Sequence, residues 1–524
     1  MIRRVSSSGV PRSSDLSGPR ESAEVSTPSG NRLVRQWGAS RRTRGRGPSF
    51  GLWLGLALGA ALGLAALIWI ALRPHGWRPR SGAPHFVSCT YGGYVSGWCA
   101  DLAVPEDPSR PAGRTIQLHI AVLPATTRHS AGALFYLEGG PGVAATRSAV
   151  QVNELFAEVG RFRDLVMIDQ RGTGGSDPLA CPDGRVPAGD AEAVTAYLRR
   201  CFGRLTGDSR LDTTSVSADD IDAVRRTLGY GKIDLYGGSY GATLAQAYLR
   251  SHPESVRSVV LDSGGLPDVR VYDLSAGNAE RALDAELARC TRAPSCRRDY
   301  PRTRRQLSQL LAGRVRRVAL ESGPVLLHPD DIAWTVAALS ETPDGAATLP
   351  YAIDQAAHGD YVPLARAYHD DLGMDLDARA RLATFWVILC SEPWARFDPE
   401  ATARAGSGSY LVHAAVDRAR LFRRACSVVP RGRVPSDAGS VVAARAPVLL
   451  LAGGADPLDP PGNLRGWRRA FPNGRLVVVP DGGHGAIAYG CVQAMVAQFV
   501  VAASVRGLDT ACVRRVPLPP FETG

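Results

Sequence analysis

Short apolar runs alternate with helix-like segments from about residue 115 onward, and this alternation constrains the fold more than any other feature of the sequence. The predicted strands are Thr115–Leu123, Ala133–Leu137, Leu165–Ile168, Ile233–Tyr236, Val256–Leu261, Val448–Ala452 and Arg475–Val479. Between the third and the fifth strand, helices are expected from about Ser217 to Leu228 and over Ala242–Arg250. Strands that alternate with helices in this way favour a parallel sheet covered by helices.

The alternation stops between about residues 268 and 440, where the chain is rich in Ala, Arg, Leu and Asp and mostly helix-forming. It then resumes and ends with a predicted last helix at 486–504. We therefore predict an α/β core in two parts, residues 73–267 and 441–524, with residues 268–440 inserted between them as a helical cap.

A nucleophile motif lies between two of these elements. Residues 237–241 read G-G-S-Y-G, a G-x-S-x-G motif that follows the strand Ile233–Tyr236 and precedes the helix Ala242–Arg250. Small residues beside the serine permit the sharp strand-to-helix turn that exposes its hydroxyl. The N-terminus of the following helix also favours negative charge there. We predict that Ser239 is a catalytic nucleophile.

A serine nucleophile needs a base and an acid that orients the base, and in such a fold they follow in the order Ser, Asp or Glu, His. Asp456 and His484 each lie in the turn after a predicted strand. Open α/β sheets place their sites at these carboxyl ends. Asp459 and Asp262 are alternative acids, but Asp456 lies nearer the strand end than Asp459. For His484, the alternative is an ordinary surface loop residue.

The oxyanion of an acyl-transfer reaction needs two N–H donors. One is predicted to be the residue after the nucleophile, Tyr240. The other is expected from the G-G-P-G turn at 139–142, where Pro141 has no N–H, so Gly140 is the predicted donor. An ordinary tight turn is the alternative. A phosphate-binding loop is excluded because no Lys-Ser or Lys-Thr follows.

Several segments together resemble one known family. They are the G-G-P-G turn at 139–142, the D-Q-R-G-x-G-x-S stretch at 169–176, the G-G-S-Y-G motif at 237–241, Asp456-Pro457 and Gly483-His484. This set is similar to the α/β-hydrolase family of prolyl and tripeptidyl aminopeptidases, over about residues 85–515. The resemblance implies an α/β-hydrolase core with a helical cap. It also implies release of one or a few residues from a peptide's free N-terminus, with no cofactor and no metal.

The sequence departs from this family at two positions, and the group that binds the substrate's ammonium has still to be assigned. Glu138 precedes the G-G-P-G turn where relatives often have His or Pro, and Asp459 stands where Thr is frequent in a D-x-x-T-P stretch. Neither departure touches the predicted triad, but both bear on substrate preference. An aminopeptidase also needs an anion for the substrate's ammonium group, which the family takes from its cap. Glu392, beside a cysteine and Trp394, is the predicted anion; a solvated surface carboxylate is the alternative.

Residues 51–72 are 22 residues without a charge. As a helix they span about 33 Å, enough for a hydrocarbon core of about 30 Å. We predict an uncleaved signal anchor; secretion after signal cleavage is the alternative, although no good cleavage site follows. More Arg residues lie before this run than after it, which predicts a disordered cytoplasmic tail at 1–50 and residues 73–524 outside the membrane.

Small residues recur every fourth position in this run, at Gly51, Gly55, Gly59 and Gly63. Small-xxx-small spacing allows close helix contact, so a homodimer is one interpretation. The other is that Gly is simply common in such anchors.

The net charge of +11 does not predict a nucleic-acid partner. Residues 1–50 hold ten Arg and three acidic residues, and residues 73–80 hold three more Arg, so residues 81–524 carry only +1. All ten Cys lie after residue 72, which is typical of disulfides in an exported domain. Taken in chain order, the ten form five local pairs, and this is the predicted pairing; free structural thiols are the alternative. The absence of a CxxC motif or a Cys/His cluster argues against a metal site.

The sequence thus predicts a membrane-anchored extracytoplasmic serine hydrolase, most specifically an aminopeptidase acting on peptides with a free N-terminus. A carboxylesterase with the same triad is the second interpretation. A catalytically silent binding protein on the same scaffold is the third.

Overall fold

The computed structural model describes residues 84–127, 130–181, 186, 190–369, 382–441 and 443–523. Its strands are β1 (Val87–Tyr91), β2 (Val95–Pro105), β3 (Thr115–Leu123), β4 (Ala133–Leu137), β5 (Asp164–Ile168), β6 (Ile233–Gly238), β7 (Val256–Asp262), β8 (Arg316–Leu320), β9 (Gly323–Leu327), β10 (Val448–Gly453) and β11 (Gly474–Val479). A nine-stranded sheet has the order β1-β2-β3-β5-β4-β6-β7-β10-β11, and β8 pairs with β9 alone.

Six of the seven predicted strands form a parallel sheet, while the seventh, β3, is antiparallel to its neighbours, contrary to the prediction. Strands β5, β4, β6, β7, β10 and β11 run parallel to their neighbours in that order. Strands β1, β2 and β3 extend the sheet by antiparallel pairs, and β3 joins the parallel part antiparallel to β5. All seven predicted strands are present, with ends that differ by at most two residues. The α/β sheet is therefore confirmed, but it is mixed and not wholly parallel, and its strands β1 and β2 were not predicted.

Helices flank and connect these strands. They are α1 (Ala149–Leu155), α2 (Ala191–Phe202), α3 (Thr214–Leu228), α4 (Tyr240–Ser251), α5 (Val271–Arg292), α6 (Pro294–Asp299), α7 (Thr303–Leu311), α8 (Pro329–Leu339), α9 (Pro343–Ala357), α10 (Val362–Ala367), α11 (Ala383–Ser391), α12 (Pro399–Ala405), α13 (Val412–Ala425), α14 (Trp467–Ala470) and α15 (Val492–Ala502). Helix α3 begins before Ser217 because the Thr213 side chain caps it, and it ends at Gly229 with φ of +75°. Helix α15 is shorter than the predicted 486–504, since only a 3₁₀ turn covers Ala486–Ala488.

The core lies on both faces of the sheet, as the continuous apolar run of β10 illustrates. Val448 and Leu450 pack in the cluster that contains residues of α3 and α4. Leu449 and Leu451, which point to the opposite face, pack with residues of α1 and α15. Successive strand residues alternate between faces, so a strand covered on both sides is apolar throughout.

The chain between β7 and β10 is mostly helical, with nine helices from α5 to α13 among the described residues. It also contains the antiparallel hairpin β8–β9, which was not predicted. Leu320 pairs with Gly323 next to the turn of this hairpin. Gly323 has φ of +119°, a conformation that favours glycine and suits a tight turn. The described residues, which begin at 84, cluster as one compact unit, so the cap limits of 268 and 440 stay predictions.

Five disulfides link the ten cysteines in chain order, which confirms the predicted pairing. The pairs are Cys89–Cys99, Cys181–Cys201, Cys290–Cys296, Cys390–Cys426 and Cys491–Cys512. Their partners lie 6 to 36 residues apart in sequence. Each bridge therefore tightens one local segment of the fold.

The predicted tail at 1–50, the apolar run at 51–72 and its four glycines lie outside the described residues. Within the described part of the chain, no helix combines the length and the apolar character that a membrane span requires.

Candidate active site

Ser239 occupies a sharp turn between β6 and α4, with φ of +54° and ψ of −125°. A non-glycine residue with positive φ is strained, at a cost of about 1–3 kcal/mol. The flanking glycines make the turn feasible. A Cβ on Gly237 would lie 2.2 Å from the carbonyl oxygen of Gly241, and a Cβ on Gly241 would lie 2.1 Å from that of Leu137. The G-x-S-x-G glycines are thus needed for close backbone packing around the serine.

Asp456 and His484 meet at the carboxyl ends of β10 and β11. His484 Nδ1 lies 2.9 Å from Asp456 Oδ2, and the side chains are 15% and 0% exposed. The other carboxylate oxygen, Oδ1, accepts hydrogen bonds from the backbone N–H groups of Leu458 (2.8 Å) and Asp459 (2.9 Å). A proton on Nδ1 therefore points at Asp456, which leaves Nε2 to exchange a proton with a nucleophile.

The electrostatics of this pair suit a base that must hold a proton during the reaction. Burial lowers the pKa of His484, but the Asp456 carboxylate and its hydrogen bond oppose that effect, with smaller contributions from Glu341 and Asp459. The net result is a His484 pKa above the usual 6.5. The Asp456 carboxylate thus stabilises the imidazolium form that a triad passes through.

The two alternative acids have other partners. Asp262 is buried, and its carboxylate accepts hydrogen bonds from Tyr236 Oη, Ser263 Oγ and the backbone N–H groups of Ala486 and Ile487. Asp459 accepts a hydrogen bond from Asn463 Nδ2 at 2.9 Å. Of the three acids, Asp456 is the one that is hydrogen-bonded to His484.

The two predicted oxyanion donors lie beside Ser239. Gly140 and Tyr240 line the same cavity as Ser239. A Cβ on Gly139 would lie 3.3 Å from the Cβ of Ser239, so the turn after β4 packs directly against the nucleophile. Tyr240 is the first residue of α4, and the first N–H groups of a helix have no acceptor within it. The arrangement offers backbone donors next to the serine.

Three residues that the sequence analysis did not single out organise this region. Gln170 Nε2 donates to Tyr240 Oη at 2.9 Å, and Thr214 Oγ1 lies 2.9 Å from the same atom. The backbone N–H of His484 donates to the carbonyl oxygen of Glu341 at 2.8 Å. Gln170 belongs to the D-Q-R-G stretch, a motif that the sequence analysis noted without assigning a role to this residue. The other two contacts join residues that are far apart in sequence.

The loop that carries His484 is held by Asp262 and its neighbour. Asp262 binds the N–H groups of Ala486 and Ile487 at 2.8 Å each, and Gly485 N–H donates to Ser263 Oγ at 2.9 Å. Three consecutive backbone groups after His484 are thus bound to the end of β7. Asp262 therefore positions the histidine loop.

Glu392 is absent from the lining of the Ser239 cavity. It is 6% exposed, and its Oε1 accepts a hydrogen bond from Thr214 N–H at 3.1 Å. Burial raises its pKa, and the Thr214 hydrogen bond partly opposes this. Glu392 lines a neighbouring cavity, and Trp394 borders both cavities. A solvated surface carboxylate is therefore the wrong description of Glu392.

One cluster among the described residues could hold a cation. Asp330, His413 and Asp417 bring three ligand atoms within 4.8 Å of one another on α8 and α13. The His413 side chain is 78% exposed and already hydrogen-bonded to Asp330 at 2.9 Å. The cluster has no connection to the Ser239 cavity, and exposed groups of this kind are common without a metal.

Comparison with known proteins places the chain in a family. The profile of the alpha/beta hydrolase fold matches residues 132–490, more than half of the 524 residues. The chain belongs to this family. The match includes Ser239, Asp456 and His484 of the α/β hydrolase.

Individual relatives agree. The α/β hydrolase is 32% identical to the tripeptidyl aminopeptidase of Streptomyces lividans over 186 residues, which cover 32% of this chain and 35% of that one. It is 30% identical to serine protease Hip1 of Mycobacterium tuberculosis over 221 residues, covering 38% and 42%. These matches confirm the resemblance predicted from the motifs, although they span less than half the length of each relative.

The proline iminopeptidase of Mycobacterium smegmatis aligns with 77% of this α/β hydrolase and 98% of its own chain, at 16% identity and a TM-score of 0.33.

Proposed function

We propose that this protein is a serine hydrolase that releases one or a few residues from the free N-terminus of a peptide through an acyl-enzyme. Ser239 attacks the carbonyl carbon, His484 takes the serine proton and returns it to the leaving amine, and Asp456 orients the imidazole. The N–H groups of Gly140 and Tyr240 bind the oxyanion. Water then hydrolyses the acyl-enzyme: His484 takes a proton from the attacking water and returns it to the Ser239 oxygen as the acyl group leaves. The 2.9 Å hydrogen bond between His484 and Asp456 carries this proposal.

The preference for chain ends is proposed from the surroundings of Ser239. Helix α5 contributes Val271, Tyr272 and Ser275 to its cavity, and Trp394 follows α11. We propose that the segment 268–440, to which these residues belong, acts as a cap that restricts access. A cavity with restricted access favours a chain end over a chain interior. The similarity to a tripeptidyl aminopeptidase supports the same substrate class.

Membrane anchoring and an extracytoplasmic location are part of the proposal. They are supported by the uncharged run 51–72, the basic residues before it and the five disulfides. Protease added to intact cells should digest the catalytic domain, and an impermeant fluorophosphonate should label Ser239. A protected domain with ten free thiols would contradict both the orientation and the exported state.

The activity is tested with the full-length protein and three substrate types: aminoacyl and tripeptidyl amides, their N-acetylated counterparts, and short neutral acyl esters. Free amides should be hydrolysed with higher kcat/KM than acetylated ones, since acetylation removes the ammonium charge. Ser239→Ala should lower kcat by several orders of magnitude on every substrate. Equal kcat/KM for free and acetylated amides would contradict the aminopeptidase function and favour an esterase or endopeptidase. Glu392 stays the sequence-based candidate for the ammonium partner in this scheme.

A further inference from the structure

A second carboxylate borders the cavity of the nucleophile. Asp459, three residues after the triad acid, lines the same cavity as Ser239, Gly140 and Tyr240. It stands where the resembled aminopeptidases frequently have Thr. This chain therefore carries a negative charge beside its reacting groups at a position where a neutral residue is common.

The Asp459 carboxylate has spare capacity for a ligand. Its Oδ1 accepts one hydrogen bond, from Asn463 Nδ2 at 2.9 Å. Across the described part of the chain, no hydrogen bond reaches its Oδ2 and no Arg, Lys or His forms an ion pair with it. Burial and the neighbouring Asp456 charge raise its pKa to about 6, partly offset by His484 and Asn463. A carboxylate disfavoured by burial and by a like charge is stabilised most by a cation.

We propose that Asp459 binds the α-ammonium of the substrate's first residue, and that the enzyme therefore releases a single N-terminal residue. This inference rests on the proposed aminopeptidase function. In an aminoacyl group one carbon separates the amine from the carbonyl that Ser239 attacks. The amine of a bound residue thus stays within the cavity that Asp459 and Ser239 share.

The size of the cavity agrees with a single residue. Its volume is about 100 Å³, the share of about three molecules of liquid water. In a tripeptidyl group the amine would lie up to about 7 Å farther from the carbonyl, since each extended residue adds about 3.3–3.6 Å. An ammonium at that distance would pass beyond a cavity of this size and away from Asp459.

Glu392 fits this role less well. Like Asp459, it accepts a hydrogen bond, here from Thr214 N–H, but it lines the adjacent cavity and not the one that contains Ser239. Glu392→Gln is therefore the comparison variant for Asp459→Asn. Asp481→Asn is the matched control, because Asp481 lies in the turn just before His484 with a 39% exposed side chain paired to Arg292.

The experiment measures kcat/KM of the full-length protein for alanyl amide, N-acetyl-alanyl amide and a trialanyl amide of the same fluorogenic amine. The readout is the ratio of kcat/KM for the free over the acetylated alanyl amide, because general damage to the fold lowers both. In Asp459→Asn this ratio should fall at least about 30-fold, which corresponds to about 2 kcal/mol at 1.4 kcal/mol per tenfold. Asp459→Glu should restore part of it, Asp481→Asn should match the wild type, and the wild type should prefer the alanyl over the trialanyl amide.

The outcomes separate the inference from the function on which it rests. A wild type that favours free over acetylated amides while Asp459→Asn keeps the wild-type ratio overturns the inference alone. A loss confined to Glu392→Gln, or a wild type that prefers the trialanyl amide, does the same. A wild type with no preference between free and acetylated amides overturns the aminopeptidase function and the inference together.

Discussion

Replacing Asp456 by Asn removes the charge that orients His484. The two side chains are 2.9 Å apart and almost fully buried. At an effective dielectric constant of about 20, unit charges at this distance attract by about 6 kcal/mol, against which the burial of the imidazolium must be set. An Asn amide carries no charge, and its NH₂ group selects the wrong imidazole tautomer. We expect kcat for a neutral acyl ester to fall by about 10³–10⁴, with a smaller change in KM.

The pH dependence of activity and of folding stability should also change in Asp456→Asn. Burial lowers the pKa of His484 and Asp456 raises it, for a net rise above 6.5. Activity needs the neutral imidazole, so kcat/KM of the wild type should rise with pH through this raised pKa. Folding stability depends on pH in the opposite direction. The stabilisation from the His484–Asp456 ion pair is fully present below about pH 6.5 and is lost as pH rises through the pKa of His484 in the folded state. In Asp456→Asn, the rising limb of activity should move to lower pH and this stability term should shrink.

Steady-state kinetics and thermal unfolding across the pH range measure both effects. Asp481→Asn is again the control, because it removes an exposed carboxylate from the same loop and should leave kcat, KM and the rising limb unchanged. Activity of Asp456→Asn within tenfold of the wild type, or a rising limb that does not move, would refute the reasoning. A severe loss in Asp262→Asn with Asp456→Asn unaffected would assign the triad role to the other acid.

Two further substitutions test the framework of the site. Asp262→Asn should destabilise the fold by about 1–3 kcal/mol in urea unfolding and lower kcat, since the N–H groups of Ala486 and Ile487 lose a charged acceptor; unchanged stability would show that the loop is held by other contacts. Cys390→Ala opens a 36-residue loop and should cost about 4 kcal/mol of unfolding free energy. A loss below about 1 kcal/mol would show that the surrounding packing alone holds this segment.

The strands that could be predicted are those buried on both faces. β10 is apolar at nearly every position because helices cover both sides, so its sequence reveals it. β1 gives no such pattern, since Val87, Ser88 and Thr90 are exposed and its stability comes from pairing with β2. β8 begins with two exposed arginines, which are ordinary helix formers, and pairing with β9 decides its conformation.

The residues of the site likewise divide into those that the sequence predicts and those that it does not. Ser239, Asp456 and His484 each stand in a short motif at a strand end, so local sequence was enough to select them. The supporting contacts are not local: Asp262 lies 224 residues before Ala486, and Glu392 lies 178 residues after Thr214. No pattern along the chain indicates such pairs, because three-dimensional packing alone brings them together.

Three aspartates at the ends of neighbouring strands differ in the hydrogen bonds that their carboxylates receive. Asp262 accepts from four donors and has little capacity for a ligand. Asp456 accepts two backbone N–H groups on one oxygen, which leaves the other to face His484. Asp459 accepts one side-chain donor within the described residues and borders the open space beside Ser239. The donors around each carboxylate, together with its place at the Ser239 cavity, therefore distinguish the loop anchor from the proposed triad acid and the proposed cation-binding group, although the residue type is the same in all three.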